Sequence, residues 1–297
     1  MLYEILSTAQ GVVPRSDDSG VIEFKLYRYT PSLVAAVISV VVFGILTGLH
    51  SWRMFKAKTW YFVAFTIGGG FQTLGYCGRI WSHYDLTTVP GYSIQAILIL
   101  VAPALYAASI YMILGRLIRA LHAQHLSLVR VQWLSKVFVT GDIISFTMQA
   151  GGGGVQAAGT LELYEMGEKL IIAGLWVQIV IFGLFIVTTV VFHYRLSRSL
   201  TTRALSGEIT WERHLRVLYG ASLLILVRSI FRVIEYLQGN GGYLISHEIF
   251  LYLFDAVLMA AVMVVFFVWY VDGLSPTAEY KQQVDRDAGE HALRDFA

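Results

Sequence analysis

The chain contains one cysteine, Cys77, and one asparagine, Asn240. A lone thiol excludes any intramolecular disulfide, leaves the redox compartment unread, and suits a small helix-packing residue. Asn240 is followed by two glycines, so no N-glycosylation sequon exists. Charge is scarce as well: charged residues make up 14% of the 297 against 56% hydrophobic, and mean hydropathy is +0.62. That balance excludes an ordinary soluble domain and points to an integral membrane protein. A net charge of +2 gives no sign of a nucleic-acid partner once the basic residues are assigned to membrane flanks.

Missing motifs narrow the function further. No G-x-x-x-x-G-K-[ST] segment is present, which excludes ATP hydrolysis by that machinery. The last apolar run holds no lysine, so retinal has no Schiff-base anchor there. No D-R-Y follows the third run, where LGRLIRA stands, and no N-P-x-x-Y occurs in the last. Both absences, with the lone cysteine, count against a G-protein-coupled receptor. His50, His83, His122, His125, His193, His214 and His247 fall at or near run ends and His291 in the tail. No intramembrane metal triad results, which counts against a zinc hydrolase of the membrane ceramidase type. Without a separate soluble domain or a nucleophile and base pair, the chain reads as a non-enzyme with no cofactor and no metal.

What is present is a series of seven apolar runs, each long enough to cross a hydrocarbon core of about 30 Å. They cover approximately residues 33–49, 60–82, 94–115, 134–152, 170–192, 215–237 and 248–271. The expected fold is all-α, a polytopic seven-transmembrane-helix bundle forming a single membrane domain over 1–297. The fourth run is the weakest, diluted by Asp142 and a glycine run. Of the 22 lysines and arginines, fifteen fall in the first, third and fifth loops and the tail, and four on the other side. The positive-inside rule therefore places the N-terminal segment, 1–30, outside and the tail, 272–297, in the cytosol. Residues 1–30 hold no compact apolar core and carry Glu4, Asp17, Asp18 and Glu23, so the first helix is expected to act as an uncleaved anchor.

Two local features qualify the helices. Gly151 to Gly159, GGGGVQAAG, is expected to end the fourth helix in a flexible external turn, because glycine lowers helix propensity by about 1 kcal/mol per residue. Pro103, within VAPALYAAS, is expected to kink the third helix and free a carbonyl one turn earlier.

The remaining three basic residues, Arg79, Arg228 and Arg232, lie inside apolar runs. Arg228, Arg232 and Glu235 are spaced i, i+4, i+7, which puts them on one helix face. The same spacing recurs in Gln72, Tyr76 and Arg79 and in Glu248, Tyr252 and Asp255, and the equivalent i, i+3, i+7 in Asp142, Ser145 and Gln149, while Gln178 follows Gly174 by one turn. Such stripes must face the bundle interior or a water-filled cavity, because lipid offers no hydrogen-bond partners. They either satisfy one another as interhelical glue or line a ligand path. Several acids and three arginines spread over four helices favour the path.

The segments YTPS before the first helix, QTLGYCGR in the second, APALYAASIY in the third, DIISFTMQAGGGG in the fourth and RSIFRVIEYLQG with HEIFLYLFDAVLM in the last two resemble the fungal RTA-like family, also called lipid-translocating exporters. The likeness runs from about Tyr29 to Val271, with the motifs in the family's order. It implies seven membrane helices and a role in sphingoid long-chain base release, in resistance to toxic amphipathic compounds or, in one branch, in porphyrin transport. One departure stands out: Gln72 replaces a glutamate of the family pattern.

The resulting expectation is a plasma-membrane translocator or exporter of amphipathic membrane lipids such as sphingoid bases. Asp142, Glu235 and Asp255 would receive the cationic amine, and Arg79, Arg228 and Arg232 would hold those carboxylates ionised. The alternative is a lipid-sensing seven-helix receptor signalling through its cytosolic loops and tail. Oligomeric state is not readable from the sequence.

Overall fold

A computed structural model describes residues 31–85, 89–156, 161–205, 210–239 and 242–270. The expected external segment 1–30 and tail 272–297 lie outside the described residues. Long helices carry the fold: α1 (Leu33–Ala57), α2 (Val63–Tyr84), α3 (Val89–Ala120), α4 (Val131–Gln156), α5 (Leu161–Arg198), α6 (Trp211–Leu237) and α7 (Glu248–Val268). Among the described residues there is no strand. Five helices, α1, α3, α5, α6 and α7, are long and apolar enough to cross a membrane, so the protein is an all-α polytopic membrane protein. α2 and α4 have comparable length but carry Gly68–Gly70, Gln72 and Arg79, or Asp142, Gln149 and Gly151–Gly154, and fall outside that set.

Local chemistry sets the helix ends. Ser32 caps α1, its Oγ accepting the Ala35 N–H, and Lys58 closes the other end with φ +53° and its N–H on the last-turn carbonyls. A single 3₁₀ turn, Trp60–Phe62, then leads into α2. Helix α5 has 38 residues, roughly 57 Å at 1.5 Å per residue, and extends well past the hydrocarbon thickness at both ends of the expected 170–192.

Large apolar side chains point outward along α1 (Val34, Ile38, Val41, Ile45) and α5 (Val180, Leu184, Val187), as lipid contact requires. α3 is the inner post: 61% of its apolar window is buried against 22% for α1. It packs on α2, α4 and α6 through Ile99, Tyr106, Ile110, Tyr111 and Leu114.

Two sequence expectations are corrected. The glycine run does not end α4, which stays helical through Gly154 to Gln156. On the α4–α5 seam a Cβ at Gly152 would meet the Gly167 carbonyl oxygen at 2.6 Å, so the two backbones touch there. Small residues that permit such contact, with backbone hydrogen bonds kept internal, outweigh glycine's weak propensity. Residues 157–160 lie outside the described set. Cys77 is exposed on α2 rather than packed between helices.

Candidate functional site

The stripes on α2, α6 and α7 converge in one charged cluster. Arg228 Nε donates to Asp255 Oδ1 at 2.6 Å and its Nη2 to Oδ2 at 3.4 Å. Arg232 pairs with the same carboxylate through Nη2 and with Glu235 Oε2 through Nη1 at 2.9 Å. Asp255, fully buried, thus serves two guanidiniums. Arg228 Nη2 also donates to the Ile99 carbonyl at 3.2 Å. Ile99 lies four residues before Pro103 in α3, and proline's missing N–H is what leaves that oxygen free.

Arg79 joins from α2. Its Nη2 donates to Glu248 Oε1 at 2.7 Å and its Nε to the Tyr252 hydroxyl at 3.0 Å. The two Glu248 oxygens also accept the Ser32 N–H at 2.9 and 3.0 Å, which ties the start of α1 to the start of α7. Three arginines therefore meet three carboxylates. One unpaired charge at mid-bilayer costs about 2.5–3.5 kcal/mol even on insertion scales, so the fully buried Arg228 and Asp255, left without each other, would consume much of the roughly 5–15 kcal/mol by which a folded domain is stable. Pairing is the condition for this core to exist.

α7 does not run as a regular α-helix here. Tyr252–Val257 is wound as a π segment between α-helical Glu248–Leu251 and Leu258–Val268. Such insertions are rare and gather at functional sites; this one carries Tyr252 and Asp255.

Gln72 and Tyr76 lie on the same face of α2, both fully buried. The Tyr76 ring stacks with Phe43 at 5.5 Å and Tyr252 at 6.1 Å. Neither amide atom of Gln72 nor the Tyr76 hydroxyl has a hydrogen-bond partner. An unsatisfied buried polar group costs about 1–3 kcal/mol, so these atoms hold hydrogen-bonding capacity that the surrounding side chains do not use.

A second polar group lies between α3, α4 and α5. The Tyr111 hydroxyl donates to Asp142 Oδ2 at 2.9 Å. Ser145 Oγ donates to the Gly174 carbonyl at 2.7 Å, and Gln149 Nε2 donates to Ser145 Oγ at 2.8 Å and Gln178 Oε1 at 3.1 Å. Gln149 Oε1 is buried without a partner.

The expected residues thus divide into two sets. Arg79, Arg228, Arg232, Glu235, Glu248, Tyr252 and Asp255 form the charged cluster with Gln72 and Tyr76 beside it, while Gln149 and Gln178 join through Ser145 in a separate polar ladder and Asp142, on the same helix as Gln149, is held by Tyr111. Sequence reasoning missed Ser32 and Tyr111 as partners. Pro103 was the available signal for the Ile99 carbonyl; Tyr111 gave none among so many aromatic residues. No cluster of three or more metal-ligating side chains occurs among the described residues.

Comparison with known proteins adds a lineage. A family profile described as RTA1 like protein matches residues 65–277. Protein RTM1 of Saccharomyces cerevisiae is 36% identical over 292 residues, covering 85% of this chain and 94% of that protein. The same organism's Protoporphyrin uptake protein 1 is 37% identical over 288 residues, 84% of this chain and 92% of that one. Its Sphingoid long-chain base transporter RSB1 is 27% identical over 263 residues, 77% and 69% of the two chains. No solved structure matches.

Proposed function

This chain belongs to the RTA1-like family, and from that premise we propose that it translocates or exports amphipathic lipids, sphingoid long-chain bases among them, across the plasma membrane. In this reading α1 to α7 are the seven transmembrane helices, residues 1–30 face outward and the tail 272–297 is cytosolic. Relatives named for a sphingoid base and for a porphyrin share the chemistry of a broad apolar body with a polar end.

The observation that carries the reading is a polar interior with unused hydrogen-bonding capacity, at Gln72 and Tyr76, inside helices whose outer faces are apolar. Pure interhelical glue would leave no such surplus. A polar head passing between leaflets exchanges its water for these groups while its alkyl chain stays in lipid. The wider set of path-lining residues then comprises Arg79, Asp142, Gln149, Gln178, Arg228, Arg232, Glu235, Glu248, Tyr252 and Asp255.

The test is leaflet-to-leaflet movement of a fluorescent sphingoid base in proteoliposomes of the purified protein, beside a neutral lipid of equal chain length and protein-free vesicles. Acceleration over protein-free vesicles is expected. Equal rates with and without protein overturn the reading.

A further inference from the structure

We propose that the lipid's cationic amine is recognised at Asp142, between α3, α4 and α5, and not in the arginine cluster; the inference rests on the translocation reading above. The charged cluster is closed to a cation. Glu248 is bound by Arg79, Asp255 by both Arg228 and Arg232, and Glu235 by Arg232. An ammonium arriving there must displace a guanidinium that makes several hydrogen bonds at once, and the displaced arginine would be left uncompensated in the bundle. An anionic ligand is disfavoured as well, since each arginine already has its carboxylate, although Arg232 Nε is a buried donor left without a partner.

Asp142 differs in kind. It is buried, and among the described residues no lysine or arginine pairs with it; its hydrogen bond comes from the neutral Tyr111 hydroxyl. A carboxylate held this way has one donor and no counter-charge, so a cation supplies what the site lacks.

The walls fit the same ligand. The Tyr111 ring lies against Phe185 at 4.6 Å, Phe138 at 5.4 Å and Phe182 at 6.2 Å between centroids, and Phe138 stands one turn before Asp142 on the same face of α4. These rings pack on Tyr111, the donor to Asp142, so an alkylammonium at the carboxylate would have aromatic neighbours, whose negative faces attract cations. Farther along that face, roughly 10 Å from Asp142 at 1.5 Å per residue, Gln149 Oε1 is a buried acceptor without a donor. Each place offers an acceptor to a head that carries N–H and O–H donors, as a sphingoid base does; at roughly 10 Å apart the two would serve that head in succession and not together.

The experiment compares fluorescent sphingosine with its N-acetylated, uncharged analogue in proteoliposomes of the wild type, Asp142→Asn and Asp142→Glu. The wild type is expected to move the amine faster than the amide. Asp142→Asn should slow the amine by about tenfold or more, the loss of one charge-assisted contact, slow the amide far less and so erase the preference; Asp142→Glu should restore part of it. A preference that survives Asp142→Asn, or an equal slowing of both lipids, overturns the assignment. Equilibrium binding of the same two probes to purified protein in detergent separates this idea from translocation itself. Amine-selective binding abolished by Asp142→Asn without wild-type movement defeats translocation and leaves the site standing. Binding with no preference for the amine defeats the site.

Discussion

Arg228 completes the hydrogen bonding of Ile99: its Nη2 donates at 3.2 Å to a carbonyl that lies four residues before Pro103, where a helix would ordinarily supply an N–H. A helix defect in α3 and a buried charge in α6 thereby resolve each other. The pairing also fixes where α6 sits along α3, since the free oxygen occurs at one level only.

Asp255→Asn should destabilise the protein by about 3–5 kcal/mol, because it removes the carboxylate that compensates Arg228 altogether and Arg232 in part. Adding Arg228→Met should recover much of that loss, since the second change removes the stranded charge. Thermal unfolding in detergent, read as a double-mutant cycle, measures the coupling. Additive losses would show that the two residues do not act as a pair.

Gly152 and Gly153 are neighbours with opposite expectations. A Cβ at Gly152 meets the Gly167 carbonyl oxygen at 2.6 Å, whereas one at Gly153 meets nothing within 4 Å. Gly152→Ala should therefore lower the unfolding temperature, while Gly153→Ala should leave it unchanged or raise it by the roughly 1 kcal/mol of helix propensity gained.

Gln72→Leu should separate stability from transport. Removing a buried amide with no partners relieves about 1–3 kcal/mol of unmet hydrogen bonding, so the variant should unfold at an equal or higher temperature while moving sphingoid base more slowly. Undiminished movement would assign Gln72 no part in the path.

Glu248 joins Arg79 to the capped end of α1. Glu248→Gln keeps an acceptor for the Ser32 N–H, whereas Glu248→Ala loses both contacts. Because the side chain is only partly buried, the alanine variant should cost about 1–2 kcal/mol more than the glutamine one, measurable by thermal unfolding in detergent.

The helices were legible because lipid leaves the chain few options: runs of apolar residues in a polar-poor sequence must form internally bonded segments. The stripes were legible for the same reason, since a periodic arginine has nowhere to face but inward. Contacts across helices were not, because the order of helices along the chain does not say that Asp255 faces Arg228 and Arg232 together or that Tyr111 reaches Asp142. The π winding at Tyr252–Val257 also left no mark, neither proline nor glycine interrupting that segment. The glycine run misled because propensity describes an isolated helix, and Gly152 owes its conformation to Gly167 on the neighbouring one.

The charged cluster also imposes a schedule on synthesis. Arg79 precedes its partner Glu248 by 169 positions, roughly ten to thirty seconds of translation at 5–20 residues per second, whereas Arg228 precedes Asp255 by only 27. Until α7 emerges, Arg79 of α2 and Arg228 of α6 lack the carboxylates of Glu248 and Asp255, while Arg232 already has Glu235 on its own helix. The last helix is the one that closes the circuit, and a chain interrupted before Glu248 lacks both carboxylates that compensate Arg79 and Arg228.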